Sequence, residues 1–332
     1  MRPIKLQPTL MRASAGQKIK RVLMKRDDLY HGNSFAGSMY GKMKCFSADA
    51  KNLSQDEEVL IQSEKEGVLT LTLNRPKQRN ALNLALLQDL KNTLSTLKAH
   101  PHDMSVRAVV VQSNGSAFCS GHDLKELLSF SSDSSSSGRN CEHENLFRLC
   151  SEVMALFQSI PQPTISAVHG VATAAGCQLV ASTDLAIASR CASFATPGVH
   201  IGLFCSTPAV PLIRTIPQKI ALDMLFAGRI LSADEAMSFG LISRVADNDN
   251  AHEDGVELMK REAQQMAQFI ASKSGHAMRE GKFALYQQAA SRSIEEAYDI
   301  ASKAMVDGMR SEDADVGIRS FLTKEQAEWK NR

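Results

Sequence analysis

The 332-residue sequence lacks several features that define specialised classes of protein. It contains no run of 18 or more apolar residues, so no transmembrane helix is expected. Its seven cysteines form no C-x-x-C pair, which argues against a disulfide scaffold or a zinc site and favours reduced thiols. Glycine and proline occur in ordinary numbers, and 43% of the residues are hydrophobic. The chain is therefore expected to bury a substantial core, as one large domain or two modest ones.

Acidic residues are scarce at the start of the chain. The first 45 residues contain ten lysines and arginines but only Asp27 and Asp28 as acids, and they lack the apolar centre of a secretory signal. This composition predicts a mitochondrial presequence over residues 1–50 and a location in the mitochondrial matrix. The alternative is a disordered basic tail that carries no targeting signal. The remaining residues hold 28 basic and 34 acidic side chains, a balance that argues against a nucleic-acid-binding surface.

Strand and helix patterns alternate through most of the remaining sequence. Strands are predicted at residues 67–73, 107–112, 164–168 and 184–188. A helix capped by Asn83 is predicted from the spacing of its leucines, which are Leu87, Leu90, Leu94 and Leu97. Another helix is predicted at 145–160, after a serine-rich insert at 131–138 that is expected to be flexible. The alternation indicates an α/β core over residues 57–250, and the later periodic patterns predict a helical region over 251–332.

Two predicted strand-to-helix junctions are rich in small residues. They are "AFCSGHDLKEL" (117–127) and "HGVATAAGCQL" (169–179). The N-terminus of a helix carries unpaired N–H groups, and two such groups that converge on one point form an oxyanion hole. Close packing is the simpler explanation for either stretch alone, but the pair in this order, with its flanks, is more informative.

The junctions and their flanks resemble the crotonase (enoyl-CoA hydratase) family over residues 60–330. The similar segments are "TLNRPKQRNALN" (72–83), "AFCSGHDLKEL" (117–127), "TISAVHGVATAAGCQLVASTDLAIAS" (164–189), "SFATPGVHIGLF" (193–204) and "AGRILSADEAMSFGLISRV" (227–245). The resemblance implies a spiral of ββα turns, a C-terminal helical trimerisation region, a homotrimer or hexamer, and an acyl-CoA thioester as ligand or substrate without a further cofactor. It also implies that Ser120 N–H and Ala175 N–H stabilise a thioester enolate, and that Gly121 and Gly176 let the backbone approach the thioester.

The acids that a hydratase needs are missing from the corresponding positions. By the resemblance, the two hydratase carboxylates fall at Gln178 and Gly198, and a third acid used by isomerases and hydrolases falls at Ser206. None of these residues ionises at neutral pH, whereas hydration needs a base for water and an acid for the α-carbon. The sequence therefore argues against ordinary hydratase activity.

Other side chains offer weak substitutes for these acids. His122 and His200 titrate near neutral pH in water, and His122 is the better candidate for a proton donor. Cys177 and Cys205 are possible nucleophiles together with Ser206, but no spacing singles out an activated pair, so a covalent mechanism is not expected. The residues expected to contact CoA are Lys77, Arg79, Ala81, Ser120, Gly121, His122, Asp123, Gly176 and Lys282, and the basic ones are expected to meet its phosphates.

The sequence leaves three functions open. The first is an acyl-CoA-binding regulator or carrier of mitochondrial fatty-acid metabolism that lacks hydratase chemistry. The second is a carboxylate-independent lyase, such as a malonyl-type thioester decarboxylase, in which "SGHD" at 120–123 places His122 near the acyl group. The third is RNA binding, which the acidic balance after the presequence disfavours.

Overall fold

A computed structural model describes residues 58–132, 136–246 and 255–331 of the protein. All of them belong to one compact unit, Cys45–Arg332. The predicted presequence over residues 1–50 lies outside the described residues, as does the predicted boundary between the core and the C-terminal helical region.

Nine strands in the described residues form two sheets. They are Leu60–Lys65 (β1), Val68–Leu73 (β2), Ala108–Ser113 (β3), Thr164–Val168 (β4), Val171–Thr173 (β5), Leu185–Ser189 (β6), Ser193–Ala195 (β7), Ile230–Ser232 (β8) and Arg244–Ala246 (β9). The larger sheet has the order β1-β2-β3-β4-β6-β9, in which only β1 runs antiparallel to its neighbour. Parallel strands that are covered on both faces are buried along nearly their whole length, which is the pattern of β3 and β4. The four strands predicted from the sequence are confirmed to within one residue at each end.

The smaller sheet contains β5, β7 and β8 and gives the fold its spiral form. Two residues separate β4 from β5 and three separate β6 from β7, so the chain passes from the larger sheet to the smaller one twice in succession. β5 pairs in parallel with β7, and β7 pairs antiparallel with β8. A single residue separates the end of β5 from the start of the next helix. This arrangement agrees with the predicted ββα spiral.

Helices cover the sheets and form the C-terminal part of the described chain. They are Leu84–Ala99 (α1), Leu124–Ser132 (α2), Ser136–Ser159 (α3), Ala175–Ser182 (α4), Ser206–Thr215 (α5), Gln218–Ala227 (α6), Ala233–Ser238 (α7), Gly255–Ala271 (α8), Gly275–Ala290 (α9), Ile294–Gly308 (α10) and Glu312–Thr323 (α11). Short 3₁₀ turns lie at Pro76–Gln78 and Pro197–Ile201. None of these described helices combines the length and apolar character that a membrane crossing requires.

The start and the buried face of α1 agree with the sequence pattern. The side chain of Asn83 accepts a hydrogen bond from the third residue of the helix at 3.1 Å and so satisfies one unpaired N–H group. Leu87, Leu90 and Leu94 are fully buried against the larger sheet and α3, whereas Leu97 is only partly buried. The predicted apolar face is therefore confirmed for its first three leucines and weaker at the fourth.

The helix predicted at 145–160 begins nine residues earlier than expected. α3 starts at Ser136, and α2 continues to Ser132, so much of the predicted insert at 131–138 has helical backbone. Serine costs a helix only part of a kcal/mol relative to alanine, about 0.5 per residue, and no proline interrupts this stretch. A serine-rich composition therefore does not prevent a helix from beginning at Ser136.

The C-terminal helical region begins as a layer of the core. Apolar residues of α8 pack against one face of the larger sheet; they are Val256, Met259, Ala263, Ala267 and Ala271. The side chains of Ser274, Ser293 and Ser311 cap α9, α10 and α11. A capping box formed by Ser232 and Glu235 begins α7.

Candidate functional site

The turn between β5 and α4 exposes the N-terminal amides of a buried helix. Ala174 precedes α4 with φ 50° and ψ −117°, a backbone conformation that residues with a Cβ rarely adopt. Its own N–H donates to Ala195 O at 2.9 Å, which holds the turn against β7. Ala175 is the first helical residue, and its N–H has no partner among the described residues. The positive end of the helix dipole therefore coincides with an unpaired amide.

A second segment, residues 119–123, runs directly alongside this turn. Cys119 N–H donates to Val171 O at 3.1 Å, and Thr173 N–H donates to Cys119 O at 2.9 Å. The segment thus pairs in parallel with β5, opposite Ala172. The two junctions that the sequence singled out are brought together by this pairing.

Two glycines make the close contact between these segments possible. A Cβ on Gly176 would lie 2.2 Å from Cys119 O, and real Cβ atoms are not found at such distances. Gly121 has φ +97°, and a Cβ there would lie 2.9 Å from the Cβ of Ala174 and 3.5 Å from Ala175 N. Both glycines therefore serve the approach of one backbone to the other.

The amide of Ser120 is not free, contrary to the sequence-based prediction. Ser120 N–H donates to Arg79 O at 3.0 Å, in the turn that precedes α1. It therefore points away from β5 and from the unpaired amide of Ala175. A ligand oxygen could use Ser120 N–H only by displacing this hydrogen bond.

The free amide of the segment belongs to His122. Leu82 pairs across this residue, because Leu82 N–H donates to Gly121 O at 2.7 Å and Asp123 N–H donates to Leu82 O at 3.0 Å. In such a parallel bridge the central residue directs its own N–H to the opposite side. His122 N–H therefore faces the turn that carries Ala175, and it has no partner among the described residues.

An ion pair fixes the start of α2 next to these amides. Arg75 contacts Asp123 at 3.0 Å, and both side chains are largely buried. Burial has the largest single effect and would raise the pKa of Asp123, but the hydrogen bonds from Arg75 and from the Lys125 and Glu126 main chain, together with the Arg75 charge, outweigh it and the pKa is lowered. Asp123 also accepts a hydrogen bond from Lys125 N–H at 3.1 Å. Its carboxylate therefore stabilises the protein frame and is not turned toward a ligand.

A cavity of about 570 Å³ opens beside the two free amides. It brings together the predicted positions Ser120, His122, Ala175, Gly198 and Ser206. The other described wall residues are Leu124, Leu127, Phe147, Ala174, Pro197, His200, Ile201, Leu203, Phe204, Cys205, Thr207 and Pro208. This described wall contains no aspartate, glutamate, lysine or arginine, and most of its side chains are apolar.

The ring of His122 is an isolated polar group in this wall. Neither ring nitrogen has a hydrogen-bond partner among the described residues, and the ring packs edge-on against Phe147 with centroids 5.2 Å apart. Burial lowers the pKa of His122 to about 4. The nearby Leu82 main chain favours the charged ring and so acts in the opposite direction, but it does not form a hydrogen bond with the ring. The ring is therefore neutral at pH 7, which argues against the predicted role as a proton donor.

The two positions to which the family resemblance assigns the hydratase acids differ in their surroundings. Gln178 is buried on α4, its Oε1 has no partner in the described structure, and it does not reach the cavity wall. Gly198 does line the cavity, but a Cβ there would lie 2.8 Å from Cys205 Sγ and 3.0 Å from Leu203 O. The wall is thus closed where a second carboxylate would have to extend.

The candidate nucleophiles show no sign of activation. Burial raises the pKa of Cys177 to about 12 and also raises that of Cys205, so both are thiols at neutral pH. Ser206 donates only weakly, to Phe204 O at 3.4 Å, and His200 Nε2 lies 3.2 Å from Ala227 O. These contacts agree with the expectation that no covalent mechanism operates.

The residues predicted to contact CoA fall into separate places. Lys77 and Arg79 are exposed on the turn before α1. The carbonyl of Ala81 accepts a hydrogen bond from Arg75. Gly121, Gly176 and Asp123 support the two segments described above but, unlike Ser120 and His122, do not line the cavity.

Lys282 has a structural role instead of the predicted contact with phosphate. Its Nζ is buried and donates to Phe157 O and Gln162 O, each at 2.8 Å, and to Asp184 at 2.6 Å. Tyr286 donates to the same carboxylate at 2.7 Å. All three ammonium hydrogens are therefore used to attach α9 to the core.

Comparison with known proteins identifies the family. The sequence profile described as enoyl-CoA hydratase/isomerase matches residues 63–332. The chain is 41% identical over 287 residues to enoyl-CoA hydratase domain-containing protein 3, mitochondrial, of Rattus norvegicus, which covers 86% of this chain and 89% of that protein.

Solved structures show the same relationship. The crystal structure of an enoyl-CoA hydratase from Mycobacterium smegmatis aligns with a TM-score of 0.74 and 42% identity over 82% of this chain and 99% of that one. The crystal structure of the human enoyl-CoA hydratase domain-containing protein 3 aligns with a TM-score of 0.73 and 38% identity over 82% of this chain and all of that one. The fold, the two junctions and these similarities agree, and the chain belongs to the enoyl-CoA hydratase/isomerase (crotonase) family.

Proposed function

We propose that this protein binds acyl-CoA in mitochondrial fatty-acid metabolism, as a regulator or carrier, without hydratase chemistry. The observation that carries the proposal is the pair of unpaired amides, His122 N–H and Ala175 N–H, at the wall of an apolar cavity without an ionised acid. Two amides of this kind can bind a thioester oxygen, and in a reaction they stabilise an enolate by about 3 kcal/mol per donor.

The surroundings of the missing acids support the absence of hydration. A glutamine can orient water but cannot accept its proton, and Gln178 is set back from the cavity wall. Gly198 cannot carry a side chain of any size without displacing Cys205 or the Leu203 carbonyl. The chain therefore has two free amides that can bind a thioester, and it lacks the carboxylates that would add water to it.

Location and assembly are part of the same proposal. The presequence-like composition and the mitochondrial relatives support a mitochondrial matrix protein. Large apolar side chains are exposed on α10 and α11; they include Ile294, Tyr298, Met305, Phe321 and Leu322. Such surfaces are typical of subunit contacts, which supports a homotrimer or hexamer. We expect CoA as part of the ligand and no separate cofactor, with Lys77 and Arg79 placed to meet its phosphates.

A decarboxylase of malonyl-type thioesters is the second candidate. Loss of carbon dioxide leaves a thioester enolate, so the two amides could suffice without a carboxylate base. The described cavity wall offers no cation to a malonyl carboxylate, and an unpaired charge in such a place is high in energy. Release of carbon dioxide from methylmalonyl-CoA or ethylmalonyl-CoA would support this candidate.

Calorimetry with a matched pair of ligands tests the main proposal. We expect hexanoyl-CoA to bind about tenfold more tightly than S-hexyl-CoA, because the thioether lacks the oxygen that the amides would bind. Ser206→Trp should fill the cavity and abolish binding, whereas the same change at the exposed Ser238 on α7 should not. Crotonyl-CoA incubated with the protein should remain unhydrated.

Three results would contradict the proposal. They are failure of every thioester to bind, equal binding of the thioester and the thioether, and hydration of crotonyl-CoA at the rate of a true hydratase.

A further inference from the structure

The helix α9 is attached to the core through a face of polar side chains. Its buried residues include two basic ones; the full set is Gly275, Arg279, Lys282 and Ala284. Arg279, Lys282 and Tyr286 follow one another at spacings of three and four residues, which places them on one face of the helix. Lys282 and Tyr286 both donate to Asp184, whereas Arg279 lies near the start of the helix and has other partners.

The guanidinium of Arg279 is surrounded by acceptors from two segments. Its side chain is buried, and its Nη1 donates to Pro101 O at 3.1 Å and to His102 Nδ1 at 3.0 Å, in the loop after α1. Its Nη2 donates to His276 Nδ1 at 3.0 Å, and its Nε donates to Glu280 at 2.7 Å. We call Arg279, His102 and His276 the arginine–histidine cluster. The cluster connects the first turns of α9 to the loop after α1.

The two imidazoles can take part in this cluster only when they are neutral. A guanidinium has five N–H donors and no acceptor, so each Nδ1 that it contacts must offer a lone pair. The hydrogen of each neutral ring is then on Nε2. Protonation of either ring would place an N–H group and a positive charge opposite Arg279, so the hydrogen bond could not persist. Histidine is also the residue whose usual titration range lies near neutral pH.

The other titratable groups around the cluster cannot replace the lost acceptors. Glu280 is half-exposed and already pairs with Nε of Arg279, and its charge does not restore a lone pair at either Nδ1. The carboxylate of Asp103 accepts from the main chain of its own loop, which lowers its pKa, and the ring of His100 lies against the end of α1. The carboxylate of Asp313 accepts from the cap of α9 and from the C-terminal tail. Protonation of the two rings therefore acts directly on Arg279.

We propose that the arginine–histidine cluster is a pH-sensitive clamp that holds the start of α9 against the loop after α1 and releases it when the rings are protonated. A histidine that is free in water titrates at about pH 6.5, so a released ring takes up a proton below that pH. At pH 5.5 this uptake favours the released state by about tenfold per ring, and at pH 7.5 the factor is close to 1. The clamp is therefore closed in neutral and mildly alkaline solution and opens as the pH falls.

Hydrogen exchange on the full chain, followed by mass spectrometry, tests this inference. After correction for the intrinsic exchange rates, we expect the protection of residues 276–282 to fall by about tenfold or more from pH 7.5 to pH 5.5. In His102→Asn/His276→Asn, an amide oxygen can take the place of each Nδ1 and cannot be protonated, so protection should change by less than about twofold. His100→Asn is the matched control, because the ring of His100 contacts Thr96 O and not Arg279, and it should behave as the wild type.

Each outcome decides the inference. A loss of protection that is concentrated in residues 100–104 and 276–282 of the wild-type protein, and is absent from the double variant, supports the clamp. Equal protection at the two pH values, an equal loss in the double variant, or a loss of the same size in all described helices would overturn it. The location of the loss in the wild-type protein is decisive even if a variant does not fold.

Discussion

Adding one methyl group at Gly198 should destabilise the protein through a specific clash. The new Cβ would lie 2.8 Å from Cys205 Sγ and 3.0 Å from Leu203 O, whereas favourable contacts begin at about 3.5 Å. The turn cannot easily give way, because Leu203 N–H donates to Gly198 O at 3.0 Å. Overpacking of this kind typically costs about 1–3 kcal/mol, and we expect Gly198→Ala to fall in that range. Cys205→Ala alone should cost about 1 kcal/mol through the buried atom that it removes.

The two changes should be coupled in a double-mutant cycle. Removing Sγ relieves the closer of the two contacts, so the Gly198→Ala/Cys205→Ala protein should be more stable than the sum of the single effects by about 1 kcal/mol. Denaturant unfolding of the four proteins measures this coupling. Gly281→Ala is the matched control, because nothing lies within 4 Å of its Cβ position on α9 and the change should stabilise the helix. Costs that add to within about 0.3 kcal/mol would refute the steric reasoning.

Three further predictions concern buried charge, pH and the missing acids. Lys282→Met should destabilise the protein by about 3–5 kcal/mol, because it leaves a buried carboxylate without its cation, and Lys219→Met on the exposed surface of α6 should change the denaturation midpoint little. The folded-state pKa of His122 is about 4 against 6.5 in the unfolded chain, so its contribution to stability is present above pH 6.5 and decreases as the pH falls toward 4. Between pH 7 and pH 4.5 the loss amounts to about 2 kcal/mol, and it should vanish in His122→Phe when unfolding is compared at these two pH values. Gln178→Glu/Gly198→Glu should remain without hydratase activity toward crotonyl-CoA, since the second carboxylate has no space; rapid hydration by this variant would contradict that account.

Local patterns in the sequence predicted most of the fold. Alternating and continuous apolar runs located β2, β3, β4 and β6, because each pattern follows directly from the burial of a strand on one or both faces. The cap at Asn83 and the capping box at Ser232 follow from short-range hydrogen bonds that a sequence can specify. The early start of α3 at Ser136 was missed because composition alone was taken to interrupt the helix.

The choice between Ser120 and His122 could not be made from the sequence. Both flank Gly121, and either amide could face a ligand if its residue were turned the right way. The direction in which each N–H group points depends on hydrogen bonds that this segment makes with residues distant in the sequence. These residues are Arg79 and Leu82 on one side of the segment and β5 on the other. A single glycine with positive φ between them breaks the simple alternation of an extended strand. Only the assembled backbone decides which amide remains unpaired.

The role of Lys282 was also beyond the sequence. A lone lysine in a helical pattern is usually exposed, and Lys282 was expected to contact a phosphate of CoA because of its charge. Its burial depends on Asp184, 98 residues earlier in the chain, and on two carbonyl groups at the end of α3 and in the loop after it. No local signal marks such a long-range pairing.

The bridge around His122 separates two properties of one residue. Its main chain is held in place by hydrogen bonds that Leu82 makes to Gly121 and Asp123, and its side chain contributes nothing to them. Substitutions at position 122 can therefore change the side chain that lines the cavity while the amide stays where it is. A fold with this property can reshape its cavity at one position, by ordinary point mutation, without moving the two free amides.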